Sequence, residues 1–182
     1  MTHVGCCGKA TALVKAATFL ILFAFILVIL GFGTPLWSTR DGQSEGLWQR
    51  CTGGECVSIS SDPLGDQDWF IRVQAGATFG LFTTLIDVIL AFIIMLDAAC
   101  SGKRAMRVAV IVFAFIPAGF LLADCLLYWI RGRLYFTIFH LGFSWGITLT
   151  AVFVLAIAGI LFAVDTDRTI PVDPKADECE CE

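Results

Sequence analysis

Four apolar blocks constrain this chain more than any other feature. They run from Ala16 to Leu36, Val73 to Leu96, Val108 to Ile130 and Leu141 to Val164, each of 21 to 24 residues. At about 1.5 Å per residue, that length crosses a hydrocarbon layer of roughly 30 Å with some tilt. Lipid cannot satisfy backbone N–H and C=O groups, so each block is expected to be a helix that satisfies its own. Only 15% of the residues are charged and 58% are hydrophobic, too apolar for a soluble domain, and the apolar residues fall in blocks rather than on amphipathic faces. The first partner implied is therefore the lipid bilayer. Twelve Lys+Arg against sixteen Asp+Glu leave no concentrated basic surface, which argues against nucleic acid. The first block has Lys9 and Lys15 before it and Gly31 and Gly33 near its end, as a cleaved signal peptide would. Its apolar stretch is longer than a usual signal core, which favours retention as a span.

These blocks divide the chain into an N-terminal segment 1–15, a membrane domain 16–164 and an acidic tail 165–182. Loops 37–72 and 131–140 lie on one side, loop 97–107 and both termini on the other. The side with the termini carries Lys9, Lys15, Lys103, Arg104, Arg107, Arg168 and Lys175, against Arg40, Arg50, Arg72, Arg131 and Arg133 opposite. That bias points to cytoplasmic termini. Cysteine points the same way, because Cys51 and Cys56 are the only cysteines in the two loops then placed outside, where disulfides persist.

The first loop holds Cys51-Thr52-Gly53-Gly54-Glu55-Cys56. Two central glycines suit a tight hairpin turn with positive φ. Thr52 and Glu55 would then form the hydrogen-bonded pair, and Cys51 would face Cys56 at the adjacent non-hydrogen-bonded pair, as a disulfide requires. A metal site is the competing reading. Only His140 and scattered carboxylates could add ligands, so neither a metal nor a cofactor is expected.

Trp37, then Gly46-Leu47-Trp48, Cys51 and Cys56 resemble the tryptophan, Gly-Leu-Trp, cysteine, cysteine signature of the claudin, peripheral myelin protein and epithelial membrane protein superfamily. Arg72-Val73-Gln74-Ala75 is similar to the corresponding stretch of that superfamily, where claudins have a basic residue. The resemblance implies an all-α membrane fold: a four-helix bundle capped by a small disulfide-linked antiparallel sheet, anchored by Trp37, Leu47 and Trp48. It also implies plasma-membrane localisation at cell–cell or tight junctions and non-enzymatic work in adhesion or paracellular barrier formation. Oligomers with claudin-like proteins in the same or the adjacent cell would follow. The alternatives within the superfamily are an auxiliary subunit of a channel or receptor, and a myelin- or epithelial-type organiser without a sealing role. Asp62, Asp66 and Asp68 are the candidate ion-path charges, by likeness to the claudin segment that faces the paracellular space.

Several features depart from that pattern. The spacings Trp37 to Trp48 and Cys51 to Cys56 are short, as is the loop 131–140. The final Glu182 is not the hydrophobic residue that PDZ scaffold domains bind, which argues against such binding. The chain has no asparagine and so no N-glycosylation acceptor. Cys6, Cys7 and Cys100 flank spans on the inner side and are candidate S-palmitoylation sites.

Inside the membrane, Gly76 with Gly80 and Gly142 with Gly146 are spaced for close helix approach. Pro117 is expected to disturb the third helix. Asp124 is expected to meet Arg131 or Arg133, and Asp87 to bond a hydroxyl such as that of Thr83 or to carry a proton. A hydrolase built from His140, Ser144 and Asp124 is argued against, because no nucleophile motif accompanies them. Trp69 reads as an interfacial belt residue, and Trp48 as an anchor of the hairpin.

Overall fold

The structure, a computed structural model, describes residues 10–40, 42–59, 68–96, 104–135 and 140–169. Four helices, α1 (Ala12–Gly33), α2 (Asp68–Leu96), α3 (Arg104–Tyr135) and α4 (Phe143–Thr169), are each long and apolar enough to cross a membrane. Strands β1 (Ser38–Arg40), β2 (Gln43–Glu45), β3 (Gln49–Thr52) and β4 (Glu55–Ser58) lie between α1 and α2, and β5 (His140–Leu141) precedes α4. They form one antiparallel sheet in the order β4-β3-β2-β1-β5 at one end of the bundle. This is the claudin-like arrangement of a multi-pass membrane protein.

Local chemistry sets the helix ends. Thr11 caps α1, its hydroxyl accepting the Val14 N–H at 3.2 Å. At the other end α1 stops at Gly33, three residues before the hydropathy edge at Leu36. Pro35 has no N–H and drives Thr34 into extended backbone, with φ −91° and ψ 140°. The helix α4 runs on through Thr169, so Asp165, placed by hydropathy in the acidic tail, lies in the helix and is buried. Pro117 lies inside α3, which continues through it.

The helices pack in a ring, α1 on α2, α2 on α3, α3 on α4 and α4 on α1. Large side chains such as Phe19, Phe23, Phe82, Ile89, Phe153 and Ile160 point outward, while the interior is rich in alanine, with Ala17, Ala24, Ala91, Ala114, Ala151 and Ala158 fully buried. Lipid is as apolar as leucine, so close backbone approach rather than hydrophobic contrast holds such helices together. A β-carbon at Gly76 would overlap the Asp124 carboxyl, one at Gly80 would overlap Leu121, and one at Gly31 would overlap Thr148. Gly76 and Gly80 thus seat α2 on α3, as their spacing suggests. Gly142 and Gly146 do not act as a pair: Gly142 precedes α4 and lies against the Leu36 carbonyl, and Gly146 has nothing within 4 Å of where its β-carbon would be.

Neither intramembrane acid meets the side-chain partner suggested for it. Thr83 donates back to the carbonyls of Phe79 and Gly80, and both oxygens of Asp87 are buried without a hydrogen-bond partner. Asp124 lies over Gly76 with Oδ2 equally unpartnered, while Arg133 stacks over the Trp129 ring at 5.2 Å. At the end opposite the sheet, Arg107 Nη1 donates to Asp165 Oδ2 at 2.6 Å and Thr11 Oγ1 to Oδ1 at 2.5 Å, tying α1, α3 and α4 together.

Candidate interaction site at the sheet-bearing end

The sheet begins where α1 loses its last backbone donor. Pro35 cannot serve the Gly31 carbonyl, and the indole Nε1 of Trp37 donates to that oxygen at 2.7 Å instead. Trp37 is thereby fixed in a buried position, its ring edge-on to Tyr128 at 5.1 Å. From there the chain runs into β1, where Ser38 Oγ and the Tyr128 hydroxyl share a hydrogen bond of 2.9 Å with α3.

The Gly46-Leu47-Trp48 segment turns the chain from β2 into β3 directly above this point. A side chain at Gly46 would meet Pro35 Cα at 2.6 Å, so only glycine lets the turn lie on the α1–β1 link. Leu47 is wholly buried, and its carbonyl accepts from Gln74 Nε2 of α2 at 2.6 Å. Trp48 is 38% exposed and packs at the rim against Phe32, with 5.1 Å between ring centroids. Trp69, by contrast, is only 7% exposed and is set edge-on to Phe70 and Tyr128 within the cluster of Trp37, Leu47, Ile59 and Val73. The two tryptophans therefore exchange the roles read from the sequence: Trp69 is the buried seat and Trp48 the rim residue. In sequence Trp48 stands beside the cysteine hairpin and Trp69 at the start of α2, and only the tertiary contact of Trp69 with Tyr128 shows which of them is buried.

Across the sheet the register is the one that the turn demands. Gly53 and Gly54 take φ of +61° and +92°, Thr52 pairs with Glu55, and Cys51 faces Cys56. The two cysteines form a disulfide with Cα atoms 4.0 Å apart. Glu45 and Arg50, opposite each other on β2 and β3, form an ion pair at 2.8 Å. On the far side, β5 adds Thr39 to His140 and Ser38 to Leu141, and the Gly142 N–H donates to the Trp37 carbonyl at 2.8 Å. This strand has no counterpart in the sequence reading. Two residues bonded to a strand about a hundred positions earlier leave no local periodicity to detect.

The sheet is thus held on three sides, by the Gly31 carbonyl of α1 through Trp37, by Gln74 of α2 and by Tyr128 of α3. Among the described strands β4 is the outermost, it is exposed along its length, and Val57 shows 61% of its surface. Arg72 and Asp68 are exposed at the start of α2. Asp62 and Asp66 lie outside the described residues, as do Cys6, Cys7 and Cys100. Ser144 is buried and hydrogen-bonded with Thr34 Oγ1 at 2.6 Å, whereas His140 is exposed on β5. Among the described residues no three His, Cys, Asp or Glu side chains gather as metal ligands. What the arrangement offers chemically is a stiff, polar surface bordered by an exposed strand.

No family model matches the chain. Among curated proteins it is similar to Claudin domain-containing protein 2 of Mus musculus, with 36% identity over 52 residues. That stretch is 29% of this chain and 31% of the relative's length, so the likeness spans under a third of either protein.

Proposed function

We propose that this chain is a claudin-like membrane protein of the plasma membrane, with its sheet outside the cell and both termini in the cytoplasm, acting in cell–cell adhesion or in a junctional barrier. The observation that carries this reading is the clamped sheet. A sheet held by three helices, closed by a disulfide and ending in an exposed strand is built to present a surface rather than to enclose a substrate. The disulfide supports the orientation, since such bonds persist outside the cell, and the modest excess of Lys and Arg on the opposite side agrees. The partial likeness to Claudin domain-containing protein 2 and the Trp37, Gly46-Leu47-Trp48, Cys51, Cys56 signature support the family.

In this role the partners are further claudin-like chains, in the same membrane or across the gap between cells. No reaction is ascribed to the chain, because the residues gathered at the sheet pack and hydrogen-bond rather than presenting a paired nucleophile and base. Expression in cells that lack junctions tests the proposal. Accumulation in continuous lines at contacts is expected. Uniform membrane or vesicular distribution would contradict it, and co-purification with a channel or receptor would move the assignment to an auxiliary subunit.

A further inference from the structure

Within the bundle, Asp87 is 0% exposed and neither of its oxygens has a hydrogen-bond partner. An ionised carboxylate without a counter-charge is among the costliest groups to bury, whereas a carboxyl that keeps its proton needs only one acceptor. The helix geometry supplies that acceptor.

Seven residues, close to two turns, separate Gly80 from Asp87, so both lie on one stripe of α2. Gly80 and Gly76 face α3, where their β-carbons would overlap Leu121 and Asp124. On α3, Pro117 lies seven residues before Asp124, on the same stripe, and is buried. The pairs Gly76 with Asp124 and Gly80 with Leu121 run antiparallel. Continued inward, they set the backbone of Asp87 level with Phe113 and Ala114. Helix side chains lean toward their own N-terminus, which for Asp87 means toward the level of Pro117. Pro117 has no N–H, so the Phe113 carbonyl lacks its helical donor at that level. The same vacancy occurs at the end of α1, where Pro35 abandons the Gly31 carbonyl and the Trp37 indole takes it at 2.7 Å.

We propose that Asp87 is a proton-holding site within the membrane span: as the carboxylic acid it donates its O–H to the Phe113 carbonyl left open by Pro117, and so latches α2 to α3. Among the described residues no charged side chain competes for it. Asp124 is eleven residues away at the level of Gly76, Arg107 and Asp165 bond to one another toward the far end, and Lys15 and Asp167 are exposed. The latch balances two groups that would each be unsatisfied alone.

Infrared spectroscopy of the full chain in lipid nanodiscs, with carbon-13 at the aspartate side-chain carboxyl, tests this directly. At neutral pH the wild type should show a carbonyl stretch of a protonated, labelled carboxyl. That component should vanish in Asp87→Asn, persist in Asp124→Asn, and shift in Pro117→Ala, which returns an N–H to compete for the Phe113 oxygen. Should Asp87→Asn not fold, Asp87→Glu makes the same assignment, because the label is on aspartate alone. Absence of an Asp87-dependent band, or a band that Pro117→Ala leaves in place, would overturn the proposal.

Discussion

Trp37 fills two needs at once, a donor for the Gly31 carbonyl and an aromatic wall for Tyr128. Trp37→Phe keeps much of the wall and removes the donor, so it should cost about 1–3 kcal/mol, the penalty for a buried acceptor left unpaired. Thermal unfolding of the purified protein in detergent measures it, and a loss well below that range would mean the carbonyl finds another donor. Burial also ranks the other two tryptophans. Trp69→Ala opens a hole beside Phe70 and Tyr128 and should cost about 3–5 kcal/mol, whereas Trp48→Ala, at the rim, should cost about 1 kcal/mol. Surface delivery should fall in the same order, and equal delivery of the two variants would contradict the assignment of Trp69 as the seat. The sequence ranks them the other way, because Trp48 lies in the claudin-like signature and Trp69 does not, and signature and burial are different properties.

Between helices, the contacts that matter are small or polar. Gly80→Leu should separate α2 from α3 at Leu121 and lower the unfolding temperature in detergent, while Gly146→Leu, with open space at that position, should change it little. At the end opposite the sheet, Arg107 and Asp165 are a buried ion pair, 8% and 2% exposed. Removing either partner alone should cost about 3–5 kcal/mol, and replacing both by apolar residues of similar size should cost far less, as a double-mutant cycle would show. A double replacement that costs the sum of the two single ones would mean that the two side chains contribute independently and that the pair adds nothing of its own. The four helices were legible because a lipid-spanning block needs only length and hydropathy, both local properties. Arg107 and Asp165 were not, since each lies just past a hydropathy edge and reads as loop or tail until α3 and α4 are known to extend over it. The hairpin was legible because Gly53, Gly54 and the flanking cysteines are contiguous. The strand β5 was not, because its partner β1 is remote in the chain.

For the whole molecule, the proposed role joins a bundle whose outer face meets lipid to a sheet proposed to meet another chain. Orientation is the first consequence. On intact cells, Cys51 and Cys56 should accept an impermeant thiol reagent only after reduction, and labelling of Cys51 without reduction would contradict both the disulfide and the account of the hairpin. Pairing across the gap between cells is the second and more demanding consequence, and mixed culture measures it. Junction-deficient cells expressing the chain with either of two fluorescent tags on its C-terminal tail are grown together with cells expressing none. The account predicts enrichment of both tags where two expressing cells meet, none where an expressing cell meets a non-expressing one, and loss of the enrichment in Cys51→Ser chains that still reach the surface. Equal intensity at both kinds of contact, for wild-type chain delivered to the surface, would contradict it.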